Sequence, residues 1–352
     1  MKQSWAWVSW LISTIVILSI TRNPLYLVLI LMCVVFVGLS LRQAGAEATS
    51  PFSLWKLAAW ILLLSTAFNA LTSHYGQTVL FTIPGNLPLL SGAVTMEAMV
   101  YGFTNGLVLS GMLASFMVLN LALTVRELIS LIPQAFFPMA VVTSIAVTYL
   151  PTTLRQFRQI REAQAIRGHQ MRTLRDWLPL WMPLLVGGLE HAMQLAEAMT
   201  ARGFASTRPA AHGRGNTSRF FMVIGLVLLA IGWIAQLGGA GMNGLVLIIF
   251  GALLILGGLW YLGRESARTA YHSPGWGWQD WLTVLVSFGV LAICLLPILS
   301  PINQTLYYDP YPTLSLPPFS PLLGMTILGL VLPGLLKLRH VTVTNNPTNL
   351  DQ

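Results

Sequence analysis

Two seven-residue segments of this chain carry the same arrangement of charged and small residues: Glu162–Gly168 (EAQAIRG) and Glu197–Gly203 (EAMTARG). They agree at four of seven positions and lie 35 residues apart. In each, an arginine stands directly before a glycine and five positions after a glutamate. Five positions is about one and a half helical turns, so carboxylate and guanidinium leave the helix on different faces. The glycine is the residue type that stops a helix. An arginine just before such a stop complements the helix dipole and the last free carbonyls. Two copies with matching flanks suggest more: two helix ends, each presenting a planar cationic fork that grips carboxylates or carbonyls bidentately. That is docking chemistry, with Arg167 and Arg202 as the gripping groups.

Catalytic chemistry has little to build on. The chain has no glycine-rich phosphate loop of the Walker type, so it is not expected to hydrolyse ATP itself. His74, His169, His191, His212, His272 and His340 are scattered without metal-ligand spacing. The Glu190-His191 pair sits in an amphipathic stretch, where packing or partner contact explains it better than catalysis. Cys33 and Cys294 each lie inside an apolar run and read as small buried residues. No cofactor, metal or catalytic residue is expected. Asn69, Asn105 and Asn120 are the polar groups inside apolar segments, and hydrogen bonds between helices are expected for them.

The docking residues need helices to carry them. Over 152–176, Arg155, Arg158, Arg161 and Glu162 recur at three- and four-residue spacing beside an apolar stripe of Leu154, Phe157 and Ile160. This predicts an amphipathic helix lying along a membrane surface and ending at Gly168. Residues 178–203 repeat the plan, with Leu185, Leu189, Ala192, Leu195 and Met199 along one side and Ala201-Arg202-Gly203 as the close. The apolar stretch 128–150, interrupted by Pro133, Pro138 and Pro151, is read as broken and not as a span.

The rest of the 352 residues belongs in a bilayer. The chain is 55% apolar and 9% charged, against roughly a quarter charged in a soluble chain. Its mean hydropathy is +0.71. Eight windows suit membrane spans: 4–21, 24–41, 54–73, 98–123, 220–237, 243–262, 281–300 and 318–336. With the N-terminus inside and 124–219 kept at the cytoplasmic surface, only Arg22 of 19 basic residues falls outside. The connections 74–97, 238–242 and 301–317 hold no Lys or Arg. This bias sets orientation, and it also explains the net charge of +8 without nucleic acid. The first apolar run follows Lys2 and lacks a cleavage site, so it is expected to be an uncleaved span. Trp5, Trp7, Trp10, Trp276, Trp278 and Trp281 read as interfacial anchors. The expected protein is an all-α membrane protein of about eight transmembrane helices, with two or three amphipathic cytoplasmic helices in mid-chain. Its regions are 1–126 (membrane helices), 127–206 (surface helices), 207–262 (a helix pair) and 263–352 (a further pair).

These features resemble a known family, the transmembrane T component of energy-coupling factor (ECF) transporters, which includes cobalt-uptake permeases. The resemblance is carried by Asn23-Pro24-Leu25 at the opening of the second span and by Ser130–Leu150 ahead of a long basic helix. REAQAIRG and AEAMTARGF complete it, and it covers approximately residues 1–262. It implies two coupling helices whose Ala-Arg-Gly-like ends dock into two cytoplasmic ABC-type ATPases. It also implies a separate small membrane S component that captures a vitamin or metal ion, and a location in the plasma (inner) membrane with both termini cytoplasmic. By resemblance, Arg167, Gly168, Ala201, Arg202 and Gly203 are the docking positions, supported by Glu162, Ala165 and Glu197. Ile166 separates Ala165 from Arg167, which makes Arg202 the closer match. The two apparent spans in 263–352 are not expected of a minimal T component.

The alternatives are a self-contained secondary transporter and a membrane-embedded enzyme. The first calls for ionisable groups or broken helices at mid-bilayer, and the second for a His or carboxylate cluster at a span end. Neither pattern stands out. On the coupling reading the substrate is chosen by another chain.

Overall fold

A computed structural model describes residues 4–43, 54–83, 92–133, 136–168, 177–204, 214–239, 242–263, 275–295, 304–311 and 314–337. Lys2, His169, Arg172, Arg175, Arg208, His212, Arg264, Arg268, His272, Arg339 and His340 lie outside the described residues. Among the described residues the regular structure is helical apart from one hairpin. Four helices open it: α1 (Ser4–Ile20), α2 (Pro24–Gln43), α3 (Leu54–Thr72) and α4 (Met96–Ala122). After a short α5 (Val125–Ser130) come α6 (Phe137–Ile166) and α7 (Leu178–Ala201). α8 (Arg214–Leu237), α9 (Met242–Gly263), α10 (Trp278–Leu295) and α11 (Pro321–Leu328) follow, the last continued by a 3-10 turn, Gly329–Val331.

Among the described residues, four helices are long and apolar enough to cross a membrane: Pro24–Gln43, Met96–Ala122, Phe220–Leu237 and Trp278–Leu295. Ser4–Ile20, Lys56–Thr72, Val246–Leu259 and Pro321–Lys337 are apolar helices of 10–17 residues. Helix is the form these segments must take in hydrocarbon, where backbone groups have only each other to bond. Hydroxyls within them follow suit: Thr14 donates to the Trp10 carbonyl (2.8 Å) and Ser115 to that of Gly111 (2.8 Å). Asn69 does the same, donating to Ser65 on its own helix (3.1 Å) instead of to a neighbouring one.

The chain forms two compact units. One comprises residues 1–127 and 272–352. Here α3 and α4 approach so closely that a Cβ on Gly102 would stand 2.8 Å from the Ser65 carbonyl oxygen, while the Ser65 hydroxyl donates to the Gly102 carbonyl (2.8 Å). Close approach at glycine is how membrane helices gain contact without a hydrophobic drive between them. The C-terminal helices pack on the N-terminal ones: α10 against α1, and α11 against α2. The Trp10 indole donates to the Leu330 carbonyl (3.0 Å). Asn23 donates to the carbonyls of Thr305 (2.8 Å) and Pro318 (2.7 Å), and Tyr26 stacks on Phe319 with centroids 5.3 Å apart. Thr305, Leu306 and Pro318 are therefore structural partners of the α1–α2 turn.

Sequence reading missed the hairpin. β1 (Val79–Ile83) and β2 (Gly92–Thr95) pair antiparallel, with Val79 opposite Thr95 and Ile83 opposite Gly92, and a bulge between Val79 and Phe81. It ends at the N-cap of α4, where Thr95 accepts from the Ala98 amide (3.4 Å) and Glu97 accepts from the amides of Gln77 (3.2 Å) and Thr78 (3.1 Å).

The other unit comprises residues 128–271. α8 and α9 form a glycine-lined pair: a Cβ on Gly251 would lie 2.7 Å from the Gly225 carbonyl, and one on Gly232 would lie 3.0 Å from that of Gly244. The expected break at 128–150 is corrected here. Pro133 does interrupt the chain, but Pro138 sits in the first turn of α6, and Pro151 lies inside it, so 137–150 and the basic segment form one 30-residue helix. Proline at the first turn loses nothing, because that amide has no helical partner. Around Pro151, side chains take up backbone carbonyls: Thr153 bonds that of Tyr149 (3.2 Å) and Arg155 that of Pro151 (3.4 Å).

Candidate functional site: two arginine-capped helix ends

α6 and α7 end in the same way. The last helical residues are Ile166 and Ala201, and the next residue in each case is the arginine, which takes the cap position. The Arg167 amide reaches the Ala163 carbonyl (3.3 Å) and the Arg202 amide that of Ala198 (3.2 Å). The following glycines turn the chain with φ of +78° at Gly168 and +76° at Gly203, a left-handed conformation in which a Cβ crowds the carbonyl. Gly168 donates to Ala165 (3.0 Å) and Gly203 to Thr200 (2.9 Å). At the second end Phe204 closes a further bond to Met199 (3.0 Å), which completes a Schellman motif. Each helix is thus ended by its own backbone, leaving the arginine side chain free of a capping duty.

All eight residues singled out from the sequence are exposed: Glu162, Ala165, Arg167 and Gly168 at one end, and Glu197, Ala201, Arg202 and Gly203 at the other. Beside the arginines, Ile166 is 88% exposed and Phe204 48%. Each end therefore combines a cation with an uncovered apolar group, a combination suited to a protein partner.

The two helices meet where Tyr149 of α6 stacks on His191 of α7, with centroids 4.7 Å apart and planes 11° from parallel. His191 is accounted for by this packing. The sequence offered no spacing rule that would pair these two rings; only an aromatic and an imidazole on neighbouring amphipathic helices hinted at it. From this crossing, Arg167 lies about 27 Å along α6 and Arg202 about 16 Å along α7, at ~1.5 Å per residue. A shallow groove at the crossing is lined by Ser144, Thr148, Thr152 and Leu195 with the two rings. On the α7 apolar stripe, Leu185, Leu189 and Ala192 are exposed, and Leu195 and Met199 are half-buried. Although long, α6 and α7 are not among the helices apolar enough to cross a membrane. Among the described residues, no group of three His, Cys, Asp or Glu side chains could hold a metal ion.

Apolar helices packed through glycine, joined to exposed helices with twin arginine-glycine ends, define a multi-pass membrane component. Comparison with known proteins gives the class a family. The chain matches the Cobalt transport protein family, CbiQ, over residues 5–212, more than half its length, and belongs to that family. It is similar to the energy-coupling factor transporter transmembrane protein EcfT of Limosilactobacillus fermentum, at 27% identity over 205 residues, which cover 54% of this chain and 73% of the relative. EcfT of Bacillus subtilis is 24% identical over 208 residues (52% and 78%), and that of Heliobacterium modesticaldum 30% over 155 residues (41% and 57%). The chain is an ECF transporter transmembrane component, a transport subunit and not an enzyme by itself. α8 to α11 lie beyond the residues matched to the family.

Proposed function

We propose that this chain is the coupling subunit of an ECF-type ABC importer in the plasma (inner) membrane, with both termini cytoplasmic. Arg167 and Arg202 dock into two cytoplasmic ABC-type ATPases. When nucleotide draws the ATPases together, the ends of α6 and α7 move relative to each other about the Tyr149–His191 crossing. Their exposed apolar faces pass that motion to a separate small membrane S component, which binds the vitamin or metal ion and reorients to release it. The observation that carries this reading is the repeated helix end, with the same arginine cap, the same left-handed glycine and the same exposure at both copies. The guanidinium suits the task because it binds carboxylates and carbonyls through several parallel hydrogen bonds and keeps its charge when covered.

Charge reversal tests it. The full chain is purified with candidate ATPases before and after Arg167→Glu and Arg202→Glu. The reading expects weakened association in each single variant and loss of both association and uptake in the double variant. Unchanged association and uptake in the double variant would sink it.

A further inference from the structure

We propose that the groove between α2, α3 and α4 is a binding site for an anionic phospholipid of the cytoplasmic leaflet, with one acyl chain in the groove and the phosphate against Arg42. The walls are apolar: Leu31, Val35 and Leu39 on α2, Leu57 on α3, and Ala114 and Val118 on α4. The floor is closed where α2 touches α4, since a Cβ on Gly38 would meet the Val118 methyl at 3.2 Å. The one hydroxyl on that floor, Ser110, is bonded back to the Gly106 carbonyl. The floor thus has no free donor for a polar guest, and hydrocarbon is the occupant it suits.

Length and charge narrow the occupant further. From Leu31 to Arg42 the groove follows α2 for about 16 Å at ~1.5 Å per residue. That matches half of the roughly 30 Å hydrocarbon core of a bilayer, the depth reached by one lipid tail. Arg42 is exposed in the last turn of α2 at the groove's end, with no carboxylate paired to it among the described residues. Lys56, also exposed, directly precedes Leu57 at the same end. A basic group at the headgroup end of a hydrocarbon slot favours an anionic over a zwitterionic lipid. The inference rests on the orientation proposed above and is independent of ATPase docking.

Native mass spectrometry of the full chain, purified in neutral detergent, tests the site. The probes are phosphatidylglycerol, phosphatidylcholine with the same tails, and glycerol phosphate as the headgroup alone. The wild type is expected to retain phosphatidylglycerol about five-fold better than phosphatidylcholine, the scale of one basic residue at an anionic surface. Arg42→Gln removes that preference and Arg42→Lys keeps it. Ala58→Trp, at the half-buried rim of the groove, lowers retention of both lipids while leaving the unfolding temperature unchanged. Equal retention of the two lipids by the wild type would overturn the proposal. So would retention untouched by both Arg42→Gln and Ala58→Trp, or glycerol phosphate held as well as the whole lipid.

Discussion

Gly168 and Gly203, 35 positions apart, turn the chain with nearly identical left-handed backbones, φ +78° and +76°, each directly after an exposed arginine. Gly168 has no atom within 4 Å of where a Cβ would sit, so packing does not require a glycine there. The backbone conformation does. Their shared role is to end a helix sharply enough for the arginine before them to stand at its tip.

Substitution at these glycines therefore isolates the turn from the charge. Gly203→Ala is expected to strain the left-handed position by about 1 kcal/mol, with Gly203→Asn milder because Asn tolerates that region. Hydrogen exchange at the Phe204 amide, which is bonded to Met199, should accelerate in the alanine variant while overall stability changes little.

Glycines that pack behave differently. Gly102→Leu drives a side chain into the Ser65 carbonyl and the Thr66 backbone on α3 and is expected to cost about 3 kcal/mol or prevent folding. Gly187→Leu on α7, where open space surrounds the position, should leave the unfolding temperature unchanged. Thermal unfolding in detergent distinguishes the two.

Asn23 ties the α1–α2 turn to the C-terminal segment through Thr305 and Pro318 and accepts from the Leu25 amide (3.0 Å). Asn23→Ala is expected to lower stability by about 2 kcal/mol, since three part-buried hydrogen bonds are lost. Limited proteolysis should then cut within 304–320 faster than in the wild type.

The segment 304–311 also supplies a pH dependence. Burial, and then the neighbouring Asp309, raise the Tyr308 phenol above its usual 10.0, and its neutral hydroxyl donates to the Ser315 carbonyl (2.7 Å). The folded chain holds this proton more tightly than the unfolded chain does. Its contribution is complete below about pH 10 and is lost as pH rises through the higher folded-state value. The unfolding temperature of Tyr308→Phe should be lower by the equivalent of about 1 kcal/mol at pH 8, and should fall less steeply than the wild type above pH 10.

Much of this was legible in the sequence. All eight windows expected to be spans carry helix, because about twenty apolar residues in hydrocarbon leave the backbone few other options. The ends at Gly168 and Gly203 were visible because a glycine after an amphipathic run has a definite conformational meaning. Pro151 misled because a proline inside a helix removes one amide bond, the one to the Val147 carbonyl, and a 30-residue helix runs on through that loss. The hairpin was signalled by Val79, Phe81, Thr82 and Ile83 between Gly76 and a Pro-Gly pair, but it sat in a stretch read only as an external loop. The tie from Asn23 to Pro318 spans nearly 300 residues, and no local pattern announces a contact of that range. The stacking of Tyr149 on His191 was hidden for the same reason.

Site-specific photocrosslinking in membranes is the most direct measurement of the central claim. A photoreactive residue is placed at position 202, then at 167, with position 187 on the body of α7 as the control. The account predicts crosslinks from 202 and 167 to ATPase chains and none from 187. Crosslinks from 202 and 167 to lipid alone, with the ATPases present and active, would contradict it.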